Sequence, residues 1–158
     1  MKFVVRTASG TDAPIIAGLT RNAWAGRVSV TSSGHRETAV LVAEHLRQGG
    51  GFILLDANEP VGSVRWLPHE TEPDCWEILR MGVLPAYRGN NLSQHLLEAV
   101  IHHGLESGIG ELRLAVRGDQ LKLVDFYAAF EFELAEELEY SHANPLEPAP
   151  LVMRRTLR

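Results

Sequence analysis

Read from its amino end, the chain changes the period of its hydrophobic positions several times, and each change marks an element. Phe3-Val4-Val5, followed by Arg6 and Thr7, is a short β-prone run. Gly10-Thr11-Asp12 before Ala13-Pro14 combines a turn, an N-cap and an early helical proline, so a helix is expected next. Ile15, Ile16, Leu19 and Trp24 keep an apolar face at near-helical spacing, which the Ser/Thr/Gly-rich stretch Ser29 to Gly34 interrupts. A second helix, about Glu37 to Gln48, carries Val40, Leu41 and Leu46 and stops at Gly49-Gly50-Gly51. Phe52 to Leu55, the turn Asp56 to Pro60 and Val61 to Trp66 predict an antiparallel hairpin.

Polar residues lead to Asp74, and a further strand, Trp76 to Leu84, ends at Pro85. From about Leu92, a stripe of Leu92, Leu96, Val100 and His103, flanked by Leu97 and Ile101, marks a helix that Gly108 closes. Glu111 to Val116 alternates as a strand would, and Gly118-Asp119 caps a short helix running to about Ala129. Phe130 to Leu134 and Leu151 to Arg155 are the expected last strands, separated by a long loop holding Pro145, Pro148 and Pro150. The order βααβββαβαββ, with no internal repeat or linker, predicts one domain over residues 1–158.

Composition narrows the class. A chain of 158 residues can bury about two thirds of its unfolded surface and needs no disulfide or metal to hold a core. Hydrophobic residues are 45% and charged residues 22%, as in soluble globular proteins. Cys75 is the single cysteine, and Met1 to Gly10 has no long apolar stretch, so a cytoplasmic location is expected with no membrane association. Net charge is -5, so no basic face favours nucleic acid, and an anionic ligand needs a local positive site.

Val83 to Leu97 offers such a site. A strand leads through Pro85 and Gly89 into a helix whose first turn has free backbone N–H groups, with Arg88 beside them; this suits a phosphate or pyrophosphate. No Gly-Lys-Ser/Thr follows, so it is not a P-loop, and it lacks the G-x-G-x-x-G pattern. An ordinary strand-to-helix turn with a surface arginine accounts for the local pattern equally well.

Element order and loop together resemble the GNAT family of acyl-CoA-dependent N-acyltransferases, over nearly the whole chain. That family's loop reads Arg/Gln-x-x-Gly-x-Gly/Ala after a strand often ending Val-x-Pro. Here Val83-Leu84-Pro85 precedes Tyr87-Arg88-Gly89-Asn90-Asn91-Leu92-Ser93, so Arg88 matches while Asn91 and Ser93 replace both glycines. A second family segment, Asn-x-x-Ala-x-x-Phe-Tyr and then Gly-Phe, is matched by Gln120 to Tyr127 and Glu131-Phe132. Phe126, Tyr127 and Phe132 are kept; Gln120, Leu123 and Glu131 differ.

The resemblance implies an α/β (α+β) fold with a mixed, mostly antiparallel sheet flanked by helices. It implies acetyl-CoA or another acyl-CoA as co-substrate, no metal, and direct attack by a primary amine of a small molecule, peptide or protein. A homodimer is also compatible. Deprotonating a lysine-like amine at pH 7 costs roughly 4 to 5 kcal/mol. Glu77 is the candidate base, by its match to the histone-acetylating branch, although a solvated carboxylate at a strand start is equally plain. Tyr127 is the candidate acid for the departing thiolate, against the alternative of a core tyrosine.

For the cofactor, the resemblance assigns backbone groups of Met81 and Val83 to the pantetheine arm. Arg88, Gly89 and the N–H groups of Asn90, Asn91, Leu92 and Ser93 are assigned to pyrophosphate, with Gln120 nearby. Lys122 and Arg117 are candidates for the 3′-phosphate, the alternative being ordinary surface cations. Trp24, Arg65, Trp66, Glu77 and Tyr140 are candidates for the acceptor cleft, the alternative for the tryptophans being core. Glu131, Glu133, Glu136, Glu137 and Glu139 would draw a cationic acceptor if they face that cleft, though such a run is more often a solvated face.

The seven histidines do not read as metal ligands: His102 and His103 project about 100° apart, and His95 lies two turns from His103. Ser141-His142 is no hydrolase elbow, lacking Gly-x-Ser-x-Gly. The lost glycines keep two rival readings open: a GNAT-like sensor that binds CoA or another ligand without turnover, and a scaffold without a cofactor.

Overall fold

The structure, a computed structural model, describes residues 2–24 and 37–158. The Ser29 to Gly34 break lies outside them. The expected element order is found: β1 (Phe3–Thr7), α1 (Ala13–Trp24), α2 (Ala39–Gln48), β2 (Gly50–Asp56), β3 (Glu59–Pro68), β4 (Cys75–Val83), α3 (Leu92–Glu106), β5 (Glu111–Val116), α4 (Leu123–Ala128), β6 (Glu133–Leu134) and β7 (Leu151–Thr156).

Several boundaries differ from the sequence reading. Gly118 and Asp119 do not cap α4: they lie in a separate 3-10 turn, Gly118–Gln120, and α4 starts at Leu123. Glu37 lies ahead of α2, because Thr38 is the N-cap and its side chain accepts the Leu41 N–H. Phe130 to Phe132 are not strand: their N–H groups bond Tyr127 and Ala128 carbonyls in a turn that closes α4, and only Glu133 and Leu134 pair with β7. Glu131 takes φ 68 in that turn.

The strands form one sheet in the order β1-β2-β3-β4-β5-β7-β6. All neighbours are antiparallel except β4 and β5, which run parallel because α3 crosses between them. This parallel pairing covers only Cys75–Glu77 against Glu111–Arg113, so beyond Glu77 the strands separate.

Helix α3 buries Leu92, Leu96, Leu97, Val100 and Ile101 on one sheet face, in a core that includes Trp66, Ile78, Leu112 and Met153. Helices α1 and α2 cover the other, where Ile16, Ala17, Val42 and Ile53 pack together. Seven consecutive β3 residues, Val61 to Leu67, are buried, so this central strand is covered on both faces. None of the described helices is long and apolar enough to cross a membrane.

Candidate active site

The site grows from an irregularity in β4. Opposite the single residue between Ser63 and Arg65 of β3, β4 places two, Arg80 and Met81, and Arg80 adopts φ 57. Such a bulge bends its strand and breaks the alternation of faces. It coincides with the divergence from β5, so the backbone from Ile78 to Val83 runs along the opening between the strands.

Two clefts occupy that opening. The larger, about 470 Å³, is lined by Met81, Gly82 and Val83 of β4, by Arg88, Gly89, Asn91, Leu92 and Ser93, and by Gln120, Lys122, Phe126 and Tyr127. The smaller, about 150 Å³, is lined by Ile78, Leu79 and Arg80, by Ala115, and by Tyr140, His142, Asn144 and Glu147 of the loop before β7. Trp24 and Arg117 line both, so the clefts adjoin across β4. Gly82 lets the Trp24 ring approach: a Cβ there would lie 2.6 Å from it.

At the helix end of the larger cleft, Gly89 takes φ 86 and Asn91 φ 57, both left-handed. Asparagine is the non-glycine residue that accepts this conformation most readily, so Asn91 preserves the turn where the family motif has glycine. No side chain caps the first turn of α3. Its outward N–H groups, with Arg88, Arg117 and Lys122 on the lining, supply the positive site that the net charge withholds. Arg88 also donates to the Ala23 carbonyl, tying the loop to α1. Asn90 is not among the lining residues; its amide donates to the Tyr87 carbonyl at 3.3 Å.

Tyr127 also lines this cleft, 9% exposed, its ring against Phe126 and Phe132. Burial pushes its phenol up to about 12, so it stays protonated at neutral pH. Tyr140 donates its hydroxyl to the Ile78 carbonyl at 2.7 Å, and burial, followed by nearby Glu77, drives its pKa far up.

Glu77 lies in neither cleft lining. Its side chain is fully buried, and its oxygens accept from the Ser141 N–H and hydroxyl, both at 2.7 Å, from the His142 N–H at 3.2 Å, and from His142 Nδ1. The side chain of this group that reaches the cleft is His142, a residue the sequence reading set aside.

Two acceptor candidates belong elsewhere. Trp66 is 4% exposed and packs with Phe52, Trp76 and His103 on the α3 side. Arg65 is buried against Glu37 at 2.5 Å, with His45 Nδ1 at 2.9 Å. Burial alone would raise the Glu37 carboxyl, but Arg65 and Arg80 more than offset it and hold it low. Arg80 joins through Nε, 2.6 Å from Glu37, which anchors the bulge from beneath. The five glutamates from 131 to 139 are exposed, with Glu131 paired to Arg155 and Glu133 and Glu137 to Arg154. Cys75 is buried and its thiol is pushed up to about 12, chiefly by desolvation, so it is unreactive. Among the described residues, no three His, Cys, Asp or Glu side chains gather as a metal would require.

A protein related by sequence is the mycothiol acetyltransferase of Corynebacterium glutamicum (strain R), 29% identical over 102 residues, 65% of this chain; the chain spans about a third of that relative's length, 34%. Among solved structures, the PaiA N-acetyltransferase of Thermoplasma acidophilum in complex with coenzyme A superposes with TM-score 0.78 at 17% identity, covering 99% of each chain. The ribosomal-protein-S18-alanine N-acetyltransferase of Escherichia coli gives TM-score 0.75 at 17% identity, covering 99% of this chain and 94% of that one. These likenesses establish the fold, and the model of the Acetyltransferase (GNAT) family matches residues 22–132, from the end of α1 through the bulge and loop to Phe132. The chain belongs to the acetyltransferase (GNAT) family.

Proposed function

We propose that this protein transfers an acetyl or other acyl group from its coenzyme A thioester to a primary amine of a small molecule, peptide or protein, by direct attack and in the cytoplasm. The observation that carries the reading is the continuous opening along β4, from the positive end of α3 to Tyr127, adjoining a second cleft across the bulge. The solved relative from Thermoplasma acidophilum is a complex with coenzyme A, which supports placing the same ligand in the larger cleft here.

The residues fit that ligand. N–H groups from Leu92 and Ser93, with Arg88, suit its pyrophosphate, and Lys122 or Arg117 its remaining phosphate. Backbone groups of Met81 and Val83 on the edge freed from β5 pair with the pantetheine amides as an added strand would, independently of side-chain identity. The thioester then lies near the bulge. Tyr127, protonated and desolvated, gives its proton to the departing thiolate. The amine enters by the smaller cleft, with Trp24 and Tyr140 shaping its walls.

Calorimetric titration with acetyl-CoA, followed by thiol release across a panel of amines, tests the reading. Binding with release on at least one amine is the expected result. Binding without release on any amine would identify a sensor, and absence of both a scaffold.

A further inference from the structure

We infer that His142 is the group that takes the proton from the acceptor amine, and that Glu77 is the positioning residue that orients it. The inference rests on the acyltransferase reading above and concerns the side of the site opposite Tyr127.

Geometry separates the two roles. Glu77 is fully buried, and four donors from Ser141 and His142 converge on its oxygens, so the carboxylate has no face toward either cleft. His142 has its Nδ1 on that carboxylate, while its ring, with the side chain 19% exposed, borders the smaller cleft. A carboxylate only accepts, so the ring proton sits on Nδ1 and Nε2 keeps its lone pair. This is the arrangement in which a buried carboxylate fixes the tautomer and stabilises the imidazolium that forms.

The remaining charges around the ring come from several elements. Arg80 of β4, Arg117 after β5 and Glu147 of the same loop line the cleft with it. His69, beyond β3, places Nε2 3.9 Å from Glu77 Oε2. Tyr140 is 6.4 Å away ring to ring, and His45 of α2 feels His142 electrostatically. Glu77 is the one that bonds the ring directly through a carboxylate.

In the reaction, the ammonium form of the acceptor loses one proton to Nε2, and the freed lone pair forms the C–N bond at the thioester carbonyl. The C–S bond breaks, and the thiolate takes the Tyr127 proton. The second proton on the amide nitrogen returns through solvent to Tyr127, and His142 releases its proton to solvent. Amide, thiol and one proton are the products, with no further reactant.

The test is the pH dependence of kcat/KM for an amine accepted by the wild type, with acetyl-CoA affinity measured alongside. His142→Gln is expected to lower kcat/KM near pH 7 by about 100-fold while acetyl-CoA affinity stays within about threefold. Its activity should then climb with pH toward the amine's own pKa, whereas the wild-type profile should level off at a lower pH. Glu77→Gln should lower kcat and displace the same ascending limb, and imidazole added to His142→Ala should restore turnover. A wild type that turns over while His142→Gln keeps its rate and pH profile would overturn the base assignment alone. A wild type that acylates no amine would overturn the acyltransferase reading, and this assignment with it.

Discussion

Tyr127 shows what a single buried phenol contributes. Desolvation holds it near 12, so in the proposed reaction it would meet the thiolate with its proton in place, and the ring keeps its packing if only the hydroxyl is removed. Tyr127→Phe is therefore expected to lower kcat by about 100-fold and leave acetyl-CoA affinity within about threefold, read by steady-state kinetics and calorimetry. Glu131 is a different case: it holds φ 68 where the family motif has glycine, and its ion pair with Arg155, at 79% side-chain exposure, offsets little. A left-handed L-residue costs roughly 1–2 kcal/mol, and glycine's extra unfolded-state entropy returns roughly 0.5–1, so Glu131→Gly should stabilise by about 0.5 kcal/mol in urea unfolding. The place of Tyr127 on the larger cleft was legible in its offset from Phe126 and Phe132. That of His142 was not, because it lies 65 residues from Glu77 in a loop without periodicity. Trp66 escaped for another reason: its strand is buried on both faces, so alternation says nothing about which one it joins.

Among elements, the decisive join is the end of α1 against the bulged strand. Gly82 admits the Trp24 ring, and Gly82→Ala would force that ring out of the position it holds between the clefts. Overpacking of this kind costs about 1–3 kcal/mol. Thermal unfolding should report that loss, and kinetics a rise in KM for the amine larger than that for acetyl-CoA. Most of the eleven elements were readable from periodicity, since each strand or helix long enough to repeat its pattern declared its type. The bulge was not. It moves faces by one residue at Arg80, and only the unequal spacing of β3 and β4 partners reveals it. The segment Phe130 to Leu134 misled because its apolar alternation serves a turn that closes α4.

For the whole molecule, buried titratable groups bound the pH range of stability on both sides. Burial, reinforced by the Arg65 charge, lowers His45 to about 4, so it is neutral when folded. Its folded pKa lies below its unfolded value of about 6.5, so the stability it contributes is present above that value and lost as pH falls toward 4. Asp12, bonded by Arg6 and held near 2, and Glu37, also lowered, act in the same direction at lower pH. At the alkaline end Tyr127 and Cys75 are raised, each to about 12, so their contributions are present below their unfolded values and fade as pH rises toward 12. Unfolding temperature followed by circular dichroism should be flat from about pH 6.5 to 8.5 and fall on either side. His45→Gln should flatten the first part of the acid decline.

The short parallel contact between β4 and β5 has a mechanical side. Three residue pairs join one half of the sheet, β1 to β4, to the other, β5 to β7, and past them the halves lean apart like an open book held at the spine. A thioester pairing with one page and touching Tyr127 on the other would act as a clasp. Recognition and cohesion would then be one event, with the protein stiffest when it is ready to react.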